Sequence, residues 1–325
     1  MLGFVKRLLI WFRADDSFHV TSHPKHRLSW QHPIAACFLH YAICAVVIVT
    51  FYDFLFIPLM KWIYEDRHEI DGALNDLSFL MCANNEDDER ARIFAARVSL
   101  GYVIILLMTR LLTNTPGVHK YSVLYEFCWL CNSSLVFGAF GLYSCRPLIA
   151  TGFAVAVSID QLLWYVDIIG YILSGLKKFP IGVCKYLIWK NTQWSSRITC
   201  THHFWTIPIM IYGCRGLKCW WGSWILNIVF VLLHVLLARW LTPFKISLSK
   251  EKDNVTNEGS QIKYLNVNLC YELWGDIKVG ILRRAGDNQP TFVYILRLNL
   301  WWQLFNLCCV MFLYGAESFL RRVML

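Results

Sequence analysis

Long apolar runs separated by short polar connections dominate the chain from about residue 33 onward. The clear runs cover roughly 33 to 60, 94 to 113, 121 to 144, 147 to 174 and 222 to 242, and two shorter, more polar ones lie near 197 to 213 and 298 to 315. A helix that crosses a bilayer needs about 20 mainly apolar residues, because every backbone N–H and C=O must find its partner within the segment. The pattern therefore predicts an all-α, polytopic transmembrane helix bundle of six or seven spans.

The texture changes after the sixth run. Residues 249–260 read Ser-Lys-Glu-Lys-Asp-Asn-Val-Thr-Asn-Glu-Gly-Ser, too polar to bury a core. Alternation returns at 261–269 and 276–282, ahead of the turn Gly286-Asp-Asn-Gln-Pro290, and predicts a small inner-face hairpin. Four regions follow: 1–32, a basic amphipathic inner-face tail; 33–243, the transmembrane bundle; 244–297, a polar inner-face segment with the hairpin; and 298–325, the last transmembrane helix with the C-terminal tail.

Composition supports the membrane class. The chain is 57% hydrophobic and 16% charged, with mean hydropathy +0.43, a surface that 325 residues would struggle to hide from water. Lysine and arginine set the orientation. Lys6, Arg7, Arg13, Lys25 and Arg27 precede the first span, whereas the loop after it carries Glu86-Asp-Asp-Glu89. Lys177, Lys178, Lys185, Lys190 and Arg197 fall in a later even-numbered connection. The N-terminus is thus expected inside. The first thirteen residues are basic and apolar, with an apolar core too short for a secretory signal, which favours an inner-surface helix or a mitochondrial targeting arm. The net charge of +9 flanks the spans instead of forming a patch, so no nucleic-acid partner is implied.

Ionisable residues inside the spans carry the candidate chemistry. A charge in hydrocarbon costs at least about 2.5–3.5 kcal/mol, so such groups pair, face a cavity or serve function. Counting from the inner span ends puts His40, Glu126, Asp167, His203 and His234 at one depth, as a ring suited to a metal, a proton relay or hydrolysis. Asp160 lies a heptad before Asp167 on the same face. No compact ligand motif is present, and His202 and His203, being adjacent, should point about 100° apart on a helix. Structural hydrogen bonding of each residue to its own neighbour, with Asn132, Gln161 or Asn227, is the blander expectation. Cys128-x-x-Cys131 falls within a span, where cysteine is commonly apolar filler. Cys82, Cys145, Cys214 and Cys219 project to the outer side, where a disulfide among them is possible in an oxidising compartment.

Several short motifs also carry a resemblance. Tyr125-Glu-Phe-Cys-Trp-Leu-Cys-Asn132, Gln161-Leu-Leu-Trp-Tyr-Val-Asp167, His203-Phe-Trp-Thr-Ile-Pro208, Leu241-Thr-Pro243 and Tyr264-Leu-Asn-Val-Asn268 resemble a family of uncharacterised bacterial multi-pass membrane proteins over about residues 119–322. The resemblance implies a fold and no activity, and it implies that the first two spans are a separate addition.

Two functions stay open. The leading one is a non-catalytic accessory or structural subunit of a larger membrane complex, placed in the mitochondrial inner membrane, with other subunits and lipids as partners and no cofactor expected. The alternative is an intramembrane enzyme, or a proton- or metal-handling protein, built on the histidine and carboxylate cluster.

Overall fold

The computed structural model describes residues 20–21, 32–65, 86–113, 121–190, 192–215, 220–247, 262–271 and 291–324. Helices dominate it. Helix α1 runs Pro33–Phe51, passes a π-turn at Tyr52–Phe56 and continues as Ile57–Glu65. Pro58 explains the interruption, since its missing N–H and its ring disrupt the hydrogen bond expected one turn earlier. Helix α2 is Glu86–Leu112, its acidic first turn matching the positive end of the helix dipole. Then come α3 (Val123–Phe127), α4 (Leu130–Tyr143), α5 (Pro147–Leu173), α6 (Trp194–Thr199), α7 (His202–Gly213), α8 (Trp220–Leu241) and α9 (Thr291–Met324).

Five of these helices, α1, α2, α5, α8 and α9, are long and apolar enough to cross a membrane; α4 is apolar but shorter. Helix α7 has 12 residues, about 18 Å of rise. The run at 121–144, expected as one helix, is broken between α3 and α4. The last helix begins at Thr291, inside the region assigned from sequence to the polar segment.

Helix α5 is the hub. It packs against α4, α7, α8 and α9, and every residue from Pro147 to Ser158 is buried. Small side chains allow the approach. A Cβ at Gly152 would meet the Phe230 ring of α8 at 2.8 Å, and Thr151 and Ser223 share a hydroxyl hydrogen bond of 2.5 Å across the same interface. Helix α9 is held by amides: Asn306 Nδ2 donates to Asn227 Oδ1 at 2.9 Å, Asn227 donates to Gln303, and the Trp302 indole donates to the Ala156 carbonyl at 2.8 Å. Among the described residues Asn227 thus serves the α8–α9 contact.

Polar ties at the two bundle ends show how the helices alternate. At one end Arg146 pairs with Asp53 through two bonds of 3.0 and 2.8 Å, Arg215 pairs with Asp88 at 2.7 Å, and Arg92 donates to the Leu142 carbonyl. Cys145, in the α4–α5 turn at that end, is disulfide-bonded, and the buried Cys214 thiol donates to the Pro147 carbonyl at 3.8 Å. Cys82 and Cys219 lie outside the described residues.

At the other end a three-stranded sheet forms from β1 (Val20–Thr21), β2 (Lys245–Ser247) and β3 (Ile262–Tyr264). Strand β3 pairs antiparallel with β2, with Ile246 opposite Lys263. The first of the two segments expected to form a hairpin, 261–269, supplies β3, which pairs with β2; residues 276–282, the polar run 249–260 and residues 1–19 lie outside the described residues.

Candidate functional site

The five residues expected to form one ring occupy four environments. Asp167, fully buried, accepts from the backbone of the loop after α5: Ile181 N–H at 2.7 Å, Gly182 N–H at 3.0 Å to both oxygens, and Cys184 N–H at 3.0 Å. This carboxylate is a loop anchor. Burial, and secondarily Asp167, pushes the neighbouring Cys184 thiol up from its ordinary value. Glu126 belongs to α3 and pairs with Arg110 at 2.5 Å, while Arg110 Nε also donates to Thr199 Oγ1 at 2.8 Å. Of Asn132, only the amide reaches this region, donating to the Glu126 carbonyl at 2.8 Å.

His203 enters a different group. Its ring stacks on Trp164 with centroids 4.3 Å apart, and its Nδ1 lies 3.3 Å from both Asp160 Oδ2 and Gln161 Nε2. His202 lies against it, 4.2 Å between centroids, so the two rings meet despite their adjacent positions. The α6–α7 junction permits this, because His202 opens α7 and is not held in a helix interior. His202 Nδ1 donates to the Thr199 carbonyl at 2.8 Å, which leaves Nε2 as the bare nitrogen; that atom is buried without a hydrogen-bond partner. Cys131 Sγ and one nitrogen of each imidazole all lie within 4.8 Å of one another. Cys131 is half-buried, at the first turn of α4.

Two local features fix this group. Pro208 leaves the Phe204 carbonyl of α7 without its helical donor, and the Tyr165 hydroxyl supplies one at 2.9 Å, tying α7 to α5. The α3–α4 break is closed by a residue remote in sequence. Asn268, in the left-handed conformation (φ 55°) and buried, accepts from Leu130 N–H at 2.6 Å and donates to the Cys128 carbonyl at 2.9 Å. The motifs around 125–132 and 264–268 thus meet in space.

His40 and His234 do converge, with Cys44 as their companion. The two ring centroids are 5.0 Å apart, and Cys44 Sγ is 3.7 Å from His234 Nε2. Sequence reasoning gave Cys44 no role beyond apolar filler, weighed Cys131 only with Cys128, and considered His202 only as the neighbour of His203. The His40-x-x-x-Cys44 spacing puts both side chains on one helix face and was a readable signal; the link between Cys131 and His202 crosses two helices and left none. Cys128 and Cys131 part company: the former contacts the Cys37 thiol, the latter the histidines.

Comparison with models of protein families, with curated proteins and with solved structures found no match, so the resemblance drawn from the short motifs gains no support from it.

Proposed function

We propose that this chain is a multi-pass integral membrane protein of seven spans, counting α3–α4 and α7, with its N-terminus inside, and that it carries out thiol-dependent acyl transfer at Cys131. The carrying observation is that His202 shares a group with the Cys131 thiol, one imidazole nitrogen lying within 4.8 Å of the sulfur, while its Nδ1 is committed to a backbone carbonyl and its Nε2 is buried without a partner. That is the arrangement a cysteine nucleophile needs: a base within reach and a third group fixing the tautomer of the base. In the first step His202 Nε2 takes the thiol proton and sulfur attacks an ester carbonyl. The collapsing adduct expels the alcohol, which takes the proton back, leaving a thioester on Cys131. Water or a second alcohol then releases the acyl group by the reverse sequence. Asp160 and Trp164 act on His203 as positioning groups. The apolar core against which Cys131 also packs suits a lipid acyl chain.

The test uses the full chain in nanodiscs with phospholipid bearing a labelled acyl chain. A hydroxylamine-labile label on the protein, abolished by Cys131→Ala, reduced at least tenfold by His202→Ala and retained in Cys128→Ala, supports the reading. An unlabelled protein, or labelling indifferent to Cys131, overturns it.

A second reading, the accessory subunit of a mitochondrial inner-membrane complex, draws support from Asp167 and Glu126, whose carboxylates are used up in structural contacts, and from exposed apolar faces at Ile104, Ile105 and Met108 of α2 and at Leu300, Leu304 and Met311 of α9. Copurification of a stoichiometric partner lost on changing these α9 residues to serine, with Cys131 inert, is the result that reading requires.

A further inference from the structure

We infer that His40, Cys44 and His234 form a three-coordinate site for a soft monovalent cation, Cu(I), separate from the Cys131 group. The three donor atoms lie within 4.8 Å of one another, and all three residues are fully buried. The 3.7 Å between Cys44 Sγ and His234 Nε2 is close to the separation of sulfur and nitrogen ligands bound to one ion at about 2.3 and 2.0 Å.

Each residue is prepared for the role. His40 and Cys44 are one turn apart on α1, which fixes their relative placement. His234 Nδ1 donates to the Phe230 carbonyl at 2.7 Å, the backbone contact that orients a metal-bound imidazole and leaves Nε2 as the acceptor of the Cys44 thiol, the proton that a bound ion would displace. His40 supplies the independent observation: neither of its ring nitrogens has a hydrogen-bond partner among the described residues, although the side chain is wholly shielded. Burying such a group unsatisfied is costly. A cation ligated by one of the two nitrogens answers part of that imbalance.

Charge selects the ion. The walls are aromatic, with Tyr41, Phe137 and Phe153 presenting to the two imidazoles at centroid distances of 5.5, 6.2 and 5.5 Å. In such surroundings a net charge is penalised heavily. One thiolate and two neutral imidazoles around Cu(I) sum to zero, whereas a divalent ion would leave one positive charge buried. Thiolate and imidazole are also ligands that a cuprous ion accepts. Binding converts the Cys44 thiol and Cu(I) into a copper thiolate and releases one proton, with no change of oxidation state.

The experiment titrates the purified full chain, in detergent under anaerobic conditions, with Cu(I) buffered by a chromogenic chelator. The expected result is one tightly held Cu(I) per chain, a release of close to one proton per ion, and an X-ray absorption signature of one sulfur and two nitrogen ligands. Cys44→Ser and His40→Leu should weaken binding at least a hundredfold. Cys131→Ser, which leaves this site intact, should bind as the parent does and shows that the fold tolerates loss of a thiol. Because His40→Leu replaces an unsatisfied imidazole with an apolar side chain, its thermal transition should hold or rise in the absence of copper, which separates lost ligation from lost folding. Binding that survives Cys44→Ser, that follows Cys131, or that favours Zn(II) over Cu(I) overturns the inference.

Discussion

Asn268 and Cys128, 140 residues apart, are joined by a 2.9 Å hydrogen bond from the asparagine amide to the cysteine carbonyl, inside a bundle where that carbonyl has no helical donor. With the second bond, from Leu130 N–H to Asn268 Oδ1, one side chain satisfies both broken helix ends. The segment after β3 is therefore part of the core. Leu265, Val267, Leu269 and Cys270 are buried beside it, and the Tyr294 hydroxyl of α9 donates to the Leu269 carbonyl at 2.5 Å.

Asn268→Leu leaves a buried donor and a buried acceptor unsatisfied, at about 1–3 kcal/mol each, and it puts a bulkier residue at positive φ. A lowered thermal transition in detergent is expected, larger than for Asn306→Leu at the α8–α9 contact. Equal transitions for the two variants would show that the break does not need its plug.

Asp167→Ala removes the acceptor for the N–H groups of Ile181, Gly182 and Cys184. The exposed Lys177 and Lys178 lie in the loop so released. Limited trypsin digestion should cut there at least several-fold faster than in the parent protein, with Asp167→Asn intermediate because one carbonyl oxygen persists.

Tyr165→Phe should cost about 1 kcal/mol, the net worth of an ordinary hydrogen bond, by leaving the Phe204 carbonyl unpaired. Pro208→Ala restores a backbone donor to that carbonyl, so in its background the tyrosine change should cost markedly less. A double-mutant cycle measures the coupling, and strict additivity would contradict the role assigned to the hydroxyl.

The Asp53–Arg146 pair is bidentate but about one-third exposed, with side-chain exposures of 33% and 29%. Screening limits such a pair to about 0.5–1 kcal/mol. Arg146→Lys should lose most of that coupling, because a lysine cannot make the paired bonds, and high salt should shrink the difference between variant and parent.

Thiol alkylation separates the cysteines near the sheet end of the bundle. Cys184 is fully buried and its thiol is held above its ordinary value by burial and by Asp167, so the thiolate that reacts is scarce at neutral pH. Its labelling should rise only as pH climbs well past 9 or on denaturation. Cys131, which is half-buried where Cys184 is fully buried, should label before Cys184 in the folded protein, and faster labelling of Cys184 than of Cys131 would undo the assignment.

The sequence by itself determined the helical class, the approximate position of the long apolar helices and the fact that polar residues lie among them, because length and hydropathy are properties of a segment alone. It could also place His40 with Cys44, since one helical turn fixes that geometry. Which polar groups meet was decided by tertiary structure. A depth count put Glu126, Asp167 and the histidines on one level, but depth leaves rotation about each helix axis free, and rotation turned Asp167 toward its own loop, Glu126 toward Arg110 and His203 toward Asp160. The split of residues 121–144 was equally hidden, because a break in an apolar helix needs a donor and an acceptor to fill it. Those came from Asn268, whose contribution depends on a chain path that no local pattern records.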